Sequence, residues 1–167
     1  AELGVREVTL IGGEAYLRKD WIEVVRAVRN AGVDCSLGTG GLTLTAERVK
    51  AAADAGLQSA SVSIDGLEDV HDEVRGVKGS FRAAIRAVKA IREHGLVASV
   101  TTQLNRRALP QLEAVMEQIL AAGATNWQVQ LTMPMGNAAD RPELLLQPFD
   151  LLEVMPKLAE LFEAGLR

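Results

Sequence analysis

A chain of 167 residues is long enough for one domain with a sizeable core, and 48% apolar residues place it with globular rather than disordered proteins. A net charge of −4, with Lys and Arg spread along the chain, argues against nucleic acid as a partner, and no apolar run is long enough to cross a bilayer. The single cysteine, Cys35, excludes an internal disulfide or a cysteine-cluster metal site among these residues and suits a reducing, cytoplasmic setting.

The apolar period switches between two and about 3.6 residues five times along the chain. The first strand is expected at 7–11, EVTLI, and leaves through Gly12, Gly13 and Glu14. Glycines there let backbone groups approach a ligand, and a carboxylate, which only accepts hydrogen bonds, suits an ammonium group. The alternative is a tight turn ending in a surface acid. No Lys-Ser/Thr follows and no third glycine opens a helix, so the segment is neither a P-loop nor a dinucleotide fingerprint. A helix is expected at 21–31, with Asp20 and Glu23 spaced as a capping box. The second strand, 33–37, runs into LGTGG, where Thr39 could donate to a ligand, and Thr45 should cap a helix at 46–55.

The third strand, 59–65, opens the richest stretch, SVSIDGLEDVHDEVRGVKGSF. Ser63 and Asp65 leave the strand on one side. His71 could serve as a base or ligand, or as a structural hydrogen-bonding group. Arg75 could grip a carboxylate through two parallel bonds, or pair locally with Asp72 or Glu73. Ser80 is expected to cap a helix at 80–94 whose apolar face is Phe81, Ile85, Val88 and Ile91. A fourth strand at 97–103, a helix at 109–122 with Pro110 in its first turn, and a fifth strand at 127–132 follow. Met133 and Met135 offer soft contacts for a flat ring, or core packing, before a turn at Gly136-Asn137. The last helix, 149–164, starts after Pro148 and should kink at Pro156.

Strict alternation of strands and helices implies an α/β fold with a parallel sheet and right-handed crossovers. Three strands carry one polar face each: Ser59, Ser61, Ser63 and Asp65; Ser99, Thr101 and Gln103; Gln128, Gln130 and Thr132. A doubly wound sheet, covered on both sides, should be apolar on both faces. A barrel with helices outside and a polar lumen explains the pattern. Since a closed eight-stranded barrel of this type takes about 250 residues, the chain is expected to be a partial, TIM-like barrel of about five units. No Ser/His/Asp triad, close carboxylate pair or His-rich metal spacing stands out.

GGEAYLR, TGG, SVSIDGLEDVHDEVRG with GSF, and PMGNA, in this order and at successive strand ends, resemble the core of radical S-adenosylmethionine (radical SAM) enzymes. The likeness is strongest to the SPASM branch, which carries a C-terminal cluster-binding extension. That branch includes peptide maturases, anaerobic sulfatase-maturing enzymes, heme-pathway enzymes and molybdenum-cofactor synthesis proteins. The resemblance implies a partial (β/α)6 barrel that binds S-adenosylmethionine and a [4Fe-4S] cluster at its open end. Gly12, Gly13 and Glu14 match the segment that binds the cofactor's amino group. Ser63 matches a serine that contacts its carboxylate or ribose, and Arg75 a basic residue near the same carboxylate. Thr39 matches a rim residue facing cofactor or substrate, and Met133 falls where contacts to adenine arise. Gln103 and Asn105 are candidates for ribose or substrate.

The chain departs from that pattern in two places. Ala15 stands where the family usually has proline, and no CxxxCxxC segment is present to ligate the cluster. Residues 1–167 are therefore expected to be a portion of a radical SAM core, without the N-terminal cluster-binding strand and loop or the C-terminal extension. Alone, they should be inactive. The whole enzyme would cleave S-adenosylmethionine to a 5′-deoxyadenosyl radical and take hydrogen from a small molecule or peptide, with an external electron donor. The alternatives are a cluster-less barrel acting as a peptide-binding or partner-binding scaffold, and an aldolase-type barrel. The latter would want a lysine or metal set inside the lumen, which the inward positions lack.

Overall fold

The computed structural model describes residues 4–135 and 138–165, so the turn expected at Gly136-Asn137 lies outside the described residues. In chain order it contains β1 (Glu7–Leu10), α1 (Trp21–Asn30), β2 (Asp34–Thr39), α2 (Ala46–Asp54), β3 (Ser59–Ser63), α3 (Glu68–Arg75), α4 (Ser80–Glu93), β4 (Val97–Leu104), α5 (Leu112–Ala121), β5 (Asn126–Leu131) and α6 (Leu151–Gly165). The five strands form one parallel sheet in the order β1-β2-β3-β4-β5.

The pleat sorts side chains by parity. One row, with Leu37, Ala60, Val62, Ala98 and Val100, is buried. It shares a core with Trp21 and Val25 of α1, Val49 and Ala52 of α2, Ala84, Val88 and Ile91 of α4, and Val115 and Ile119 of α5. Each fully buried Val or Leu contributes about 1.5–3 kcal/mol relative to exposure. Thr102 interrupts this row without being orphaned. Its hydroxyl donates to the Ile64 carbonyl at 2.6 Å and accepts from Trp127 Nε1 at 2.9 Å. The opposite row is polar and mostly half-buried or exposed, and it is bonded within itself. Ser36 Oγ meets Thr9 Oγ1 at 2.8 Å, Ser61 Oγ meets Thr101 Oγ1 at 2.8 Å, and Gln103 Nε2 donates to Gln130 Oε1 at 2.6 Å. The expected one-sided polarity is thus a property of the sheet.

Several local expectations change. Residues 68–75 form α3, a helix that is not among those expected from the sequence. Its apolar stripe is short, Val70 and Val74 with the buried His71, within a run of acids. Ser80 is the first residue of α4 and not its cap. Gly79 precedes it at φ +85°, and the capping acceptor comes from α3. The Asp72 carboxylate takes the Gly79 N–H, the Phe81 N–H at 2.8 Å and the Ser80 hydroxyl at 2.9 Å. Asp20 makes no cap bond and pairs with Arg18 instead, whereas Thr45 caps α2 by accepting from the Arg48 N–H. The helix expected from residue 109 begins with a 3-10 turn, Leu109–Gln111, and α6 runs through Pro156 without a break.

Burial by itself would raise the Asp72 carboxyl, but the bonds from Phe81, Gly79 and Ser80 outweigh it and hold it below the usual aspartate range. A lowered folded value stabilises the fold above the unfolded value, near pH 4, and that stabilisation is lost as pH falls through the folded value. Asp72→Ala is therefore expected to lower stability by about 1–2 kcal/mol at pH 7, measured by urea unfolding, and its gap to wild type should shrink below about pH 4.

Candidate functional site

β1 ends at Leu10, and the chain turns through Gly12 at φ +102°. Nothing lies within 4 Å of the place a Cβ on Gly12 or Gly13 would take, so this backbone faces open space. Glu14 follows, half-buried, and its carboxylate is held by the exit of β2. Oε2 accepts from the Thr39 hydroxyl, and Oε1 accepts from the Gly40 N–H at 3.0 Å. Thr39 in turn accepts the Gly41 N–H at 2.8 Å.

These contacts explain TGG. A Cβ on Gly40 would sit 3.1 Å from Glu14 Oε1, and one on Gly41, at φ +76°, would sit 3.0 Å from Ala87 Cβ on α4. Thr39 is 5% exposed and pairs with Val62 in the helix-side row. Its proton goes to Glu14, so it orients the acid and does not itself face the lumen. Gly13 and Glu14 line a cavity of about 570 Å³ together with Thr9, Ile11, Arg18 and Trp21.

At the end of β3, Ser63 lies half-buried in the polar row opposite Thr101. Two residues on, Asp65 is 2% exposed and ties the exit of β3 to α3 and to the end of β4. Its Oδ2 takes Arg75 Nε and Nη2, both at 2.7 Å, and its Oδ1 takes the Gln103 N–H at 2.9 Å. Its own N–H donates to His71 Nδ1 at 3.0 Å, and its carbonyl accepts from Asn105 Nδ2 at 3.3 Å. The partner of Arg75 is thus Asp65, in place of the Asp72 or Glu73 pairing considered from the sequence. His71 is 1% exposed, and burial pushes its imidazole below the usual range. Its Nδ1 is spent on the Asp65 N–H and the ring is buried, so it braces the strand exit in place of the ligand or base role considered from the sequence.

A second cavity, of about 540 Å³, brings together Arg75, Gln103, Asn105 and Met133, four of the residues singled out from the sequence. Asn105 mainly braces the turn after β4, since its Oδ1 accepts the N–H groups of Arg107 and Ala108, each at 3.0 Å. Met133 and Met135 are exposed. Sequence reasoning left Asp65, Thr132 and Arg141 without roles, although all three line this cavity. Asp65 and Thr132 carried a signal in the alternation of their strands; Arg141, in a loop, carried none. The Thr132 hydroxyl is buried and has no hydrogen-bond partner among the described residues. Nearby, Glu73 accepts from both Arg107 and Arg141, so the cations here are paired with acids.

The donor set fits S-adenosylmethionine. It has an acid with spare acceptor capacity, open glycine backbone, an arginine edge, an orphaned hydroxyl and thioether surface. It does not supply an iron–sulfur cluster: no group of three or more His, Cys, Asp or Glu able to hold a metal is found among the described residues. Cys35 lies in the buried helix-side row, where burial pushes its thiol up.

The family model described as "Radical SAM superfamily" matches residues 1–105. The AdoMet-dependent heme synthase of Oleidesulfovibrio alaskensis is 31% identical over 83% of this chain and 36% of its own length. The sporulation killing factor maturation protein SkfB of Bacillus subtilis is 31% identical over 82% of this chain and 33% of its own. The chain therefore spans about a third of the length of these two curated relatives. Among solved structures, Streptococcus suis SuiB bound to precursor peptide SuiA superposes with a TM-score of 0.77 at 14% identity, over 95% of this chain and 36% of SuiB.

Thr39→Val removes both the donor to Glu14 and the acceptor for the Gly41 N–H in a buried place. It is expected to lower stability by about 1–3 kcal/mol, read by chemical denaturation.

Proposed function

Because the chain belongs to the Radical SAM superfamily, we propose that it is the S-adenosylmethionine-binding part of an enzyme that draws a hydrogen atom from a peptide substrate. The observation that carries this is the end of β1, where open glycine backbone adjoins an acid fixed in place by the next strand. Such rims at the C-terminal ends of parallel strands are where folds of this kind keep their sites. When bound, the cofactor and its [4Fe-4S] cluster would supply the radical chemistry, reductive cleavage of a sulfonium C–S bond with an electron from an external donor and hydrogen abstraction from substrate, while this chain's residues would hold the cofactor.

The chain's own residues bind and orient. Glu14 accepts from the ammonium group, held by Thr39 and Gly40, while the Gly12 and Gly13 backbone lets the ligand approach. Ser63, whose hydroxyl is not spent on a neighbouring strand, donates to carboxylate or ribose. Arg75 offers its outer edge to the carboxylate, Gln103 a rim amide to ribose, and Met133 apolar surface to adenine. Asn105 holds the β4 exit in shape. The cluster's thiolates come from outside the described residues.

A peptide is favoured over a carboxylate-rich tetrapyrrole by the charge of the lumen. The inward rows of β3, β4 and β5 up to the rim are Ser, Thr, Gln and Asn, which bond to neutral amides in either direction. Of the rim cations, Arg107 and Arg141 are both matched by Glu73, and the outer edge of Arg75 is assigned to the cofactor. The peptide-bound state of SuiB supports the same choice.

The complete protein, reconstituted with iron and sulfide and reduced without oxygen, is expected to release 5′-deoxyadenosine from S-adenosylmethionine, read by chromatography. Glu14→Gln and Ser63→Ala should each weaken cofactor binding by about 1–3 kcal/mol, with little change in Tm for Ser63→Ala. No 5′-deoxyadenosine from loaded protein, with normal binding by both variants, would overturn the proposal.

A further inference from the structure

Asp65 is buried, ionisable and unclaimed by the chemistry above, yet both its oxygens are taken, by Arg75 and by the Gln103 N–H. A guanidinium has two edges that can each make a fork of hydrogen bonds. Asp65 Oδ2 takes the Nε–Nη2 edge of Arg75, leaving the Nη1–Nη2 edge without a partner among the described residues, and 35% of the Arg75 side chain remains exposed beside the 540 Å³ cavity. Asp65 itself cannot swing: Gln103 N–H holds its other oxygen, while His71 and Asn105 hold its backbone. The same cavity wall contains the buried Thr132 hydroxyl, a donor with no acceptor among the described residues.

We propose that Asp65 is the positioning residue that aims the free edge of Arg75 into this cavity, making it a carboxylate-selective subsite with Thr132 as a second donor. The inference rests on the reading that Arg75 meets the carboxylate of S-adenosylmethionine, and it adds that selectivity for this carboxylate is set from the end of β3 through Asp65, whose own oxygens are spent on Arg75 and Gln103. An arginine without a fixed partner would swing between the cavity and the acids around it. Clamped by a buried carboxylate, it presents one planar edge in one direction, which suits bidentate recognition.

The test compares S-adenosylmethionine with its decarboxylated analogue by calorimetry on the complete, cluster-loaded protein, with Tm measured alongside. Asp65→Asn keeps an acceptor for the Gln103 N–H but loses the clamp on Arg75. It is expected to weaken S-adenosylmethionine roughly tenfold, about one decade in Kd, relative to its effect on the analogue. A purely structural role would weaken both ligands alike, and that result overturns the inference. If Asp65→Asn does not fold, Arg75→Lys serves, because a single ammonium group cannot hold Asp65 and present a fork at once. It should lose the same preference, and a preference equal to wild type overturns the inference. Arg75→Gln separates the two readings. If it leaves the preference intact, the carboxylate role of Arg75 fails; if it removes the preference while Asp65→Asn does not, only the positioning role of Asp65 fails.

Discussion

A parallel sheet that packs helices against one face must do something else with the other, and this constraint governs the molecule. Burying Ala60, Val62, Ala98 and Val100 under α4 and α5 commits the alternate residues to the opposite side. There the chain has serines, threonines and side-chain amides that bond to one another across strands. A shift of any strand by one residue would put Ser61 among the valines and Val62 in the polar row. The register that builds the core is thus the register that lines the lumen, and neither can be changed without the other.

At the carboxyl ends of the strands the same alternation places groups that do more than pack. Two carboxylates are fixed there by different means. Glu14 is held by the exit of the neighbouring strand, through Thr39 and Gly40, and it remains half-buried. Asp65 is 2% exposed in a junction of β3, α3 and β4, where Arg75 and the Gln103 N–H take its two oxygens at the cavity wall. One acid keeps part of its surface open, and the other spends both oxygens on protein donors. The HDEVRG run serves this junction. His71 supports the Asp65 backbone, Asp72 starts α4, and Arg75 carries the charge to the rim.

Much of this was legible in the residues. The alternation of β3, β4 and β5 gave the sidedness of the sheet, because period two is a local signal. The Gly-Gly-Glu exit was visible as an unusual way to leave a strand. What stayed hidden depends on pairs far apart in sequence. Nothing local says that Glu14 meets Thr39, 25 residues away, or that Gln103 donates to Asp65 across 38 residues. α3 was missed because acids crowd its short apolar stripe. Ser80 looked like a cap because serine usually is one, whereas the acceptor here arrives from the preceding helix.

The outer edges of β1 and β5 have no strand partner among the described residues, while β2, β3 and β4 are bonded on both sides. The junction around Asp65 sits wholly on the inner strands and their loops. A change confined to either outer edge strand therefore leaves the bonds that tie Asp65 to Arg75, Gln103 and Asn105 in place, and the anchoring geometry does not depend on what meets those edges.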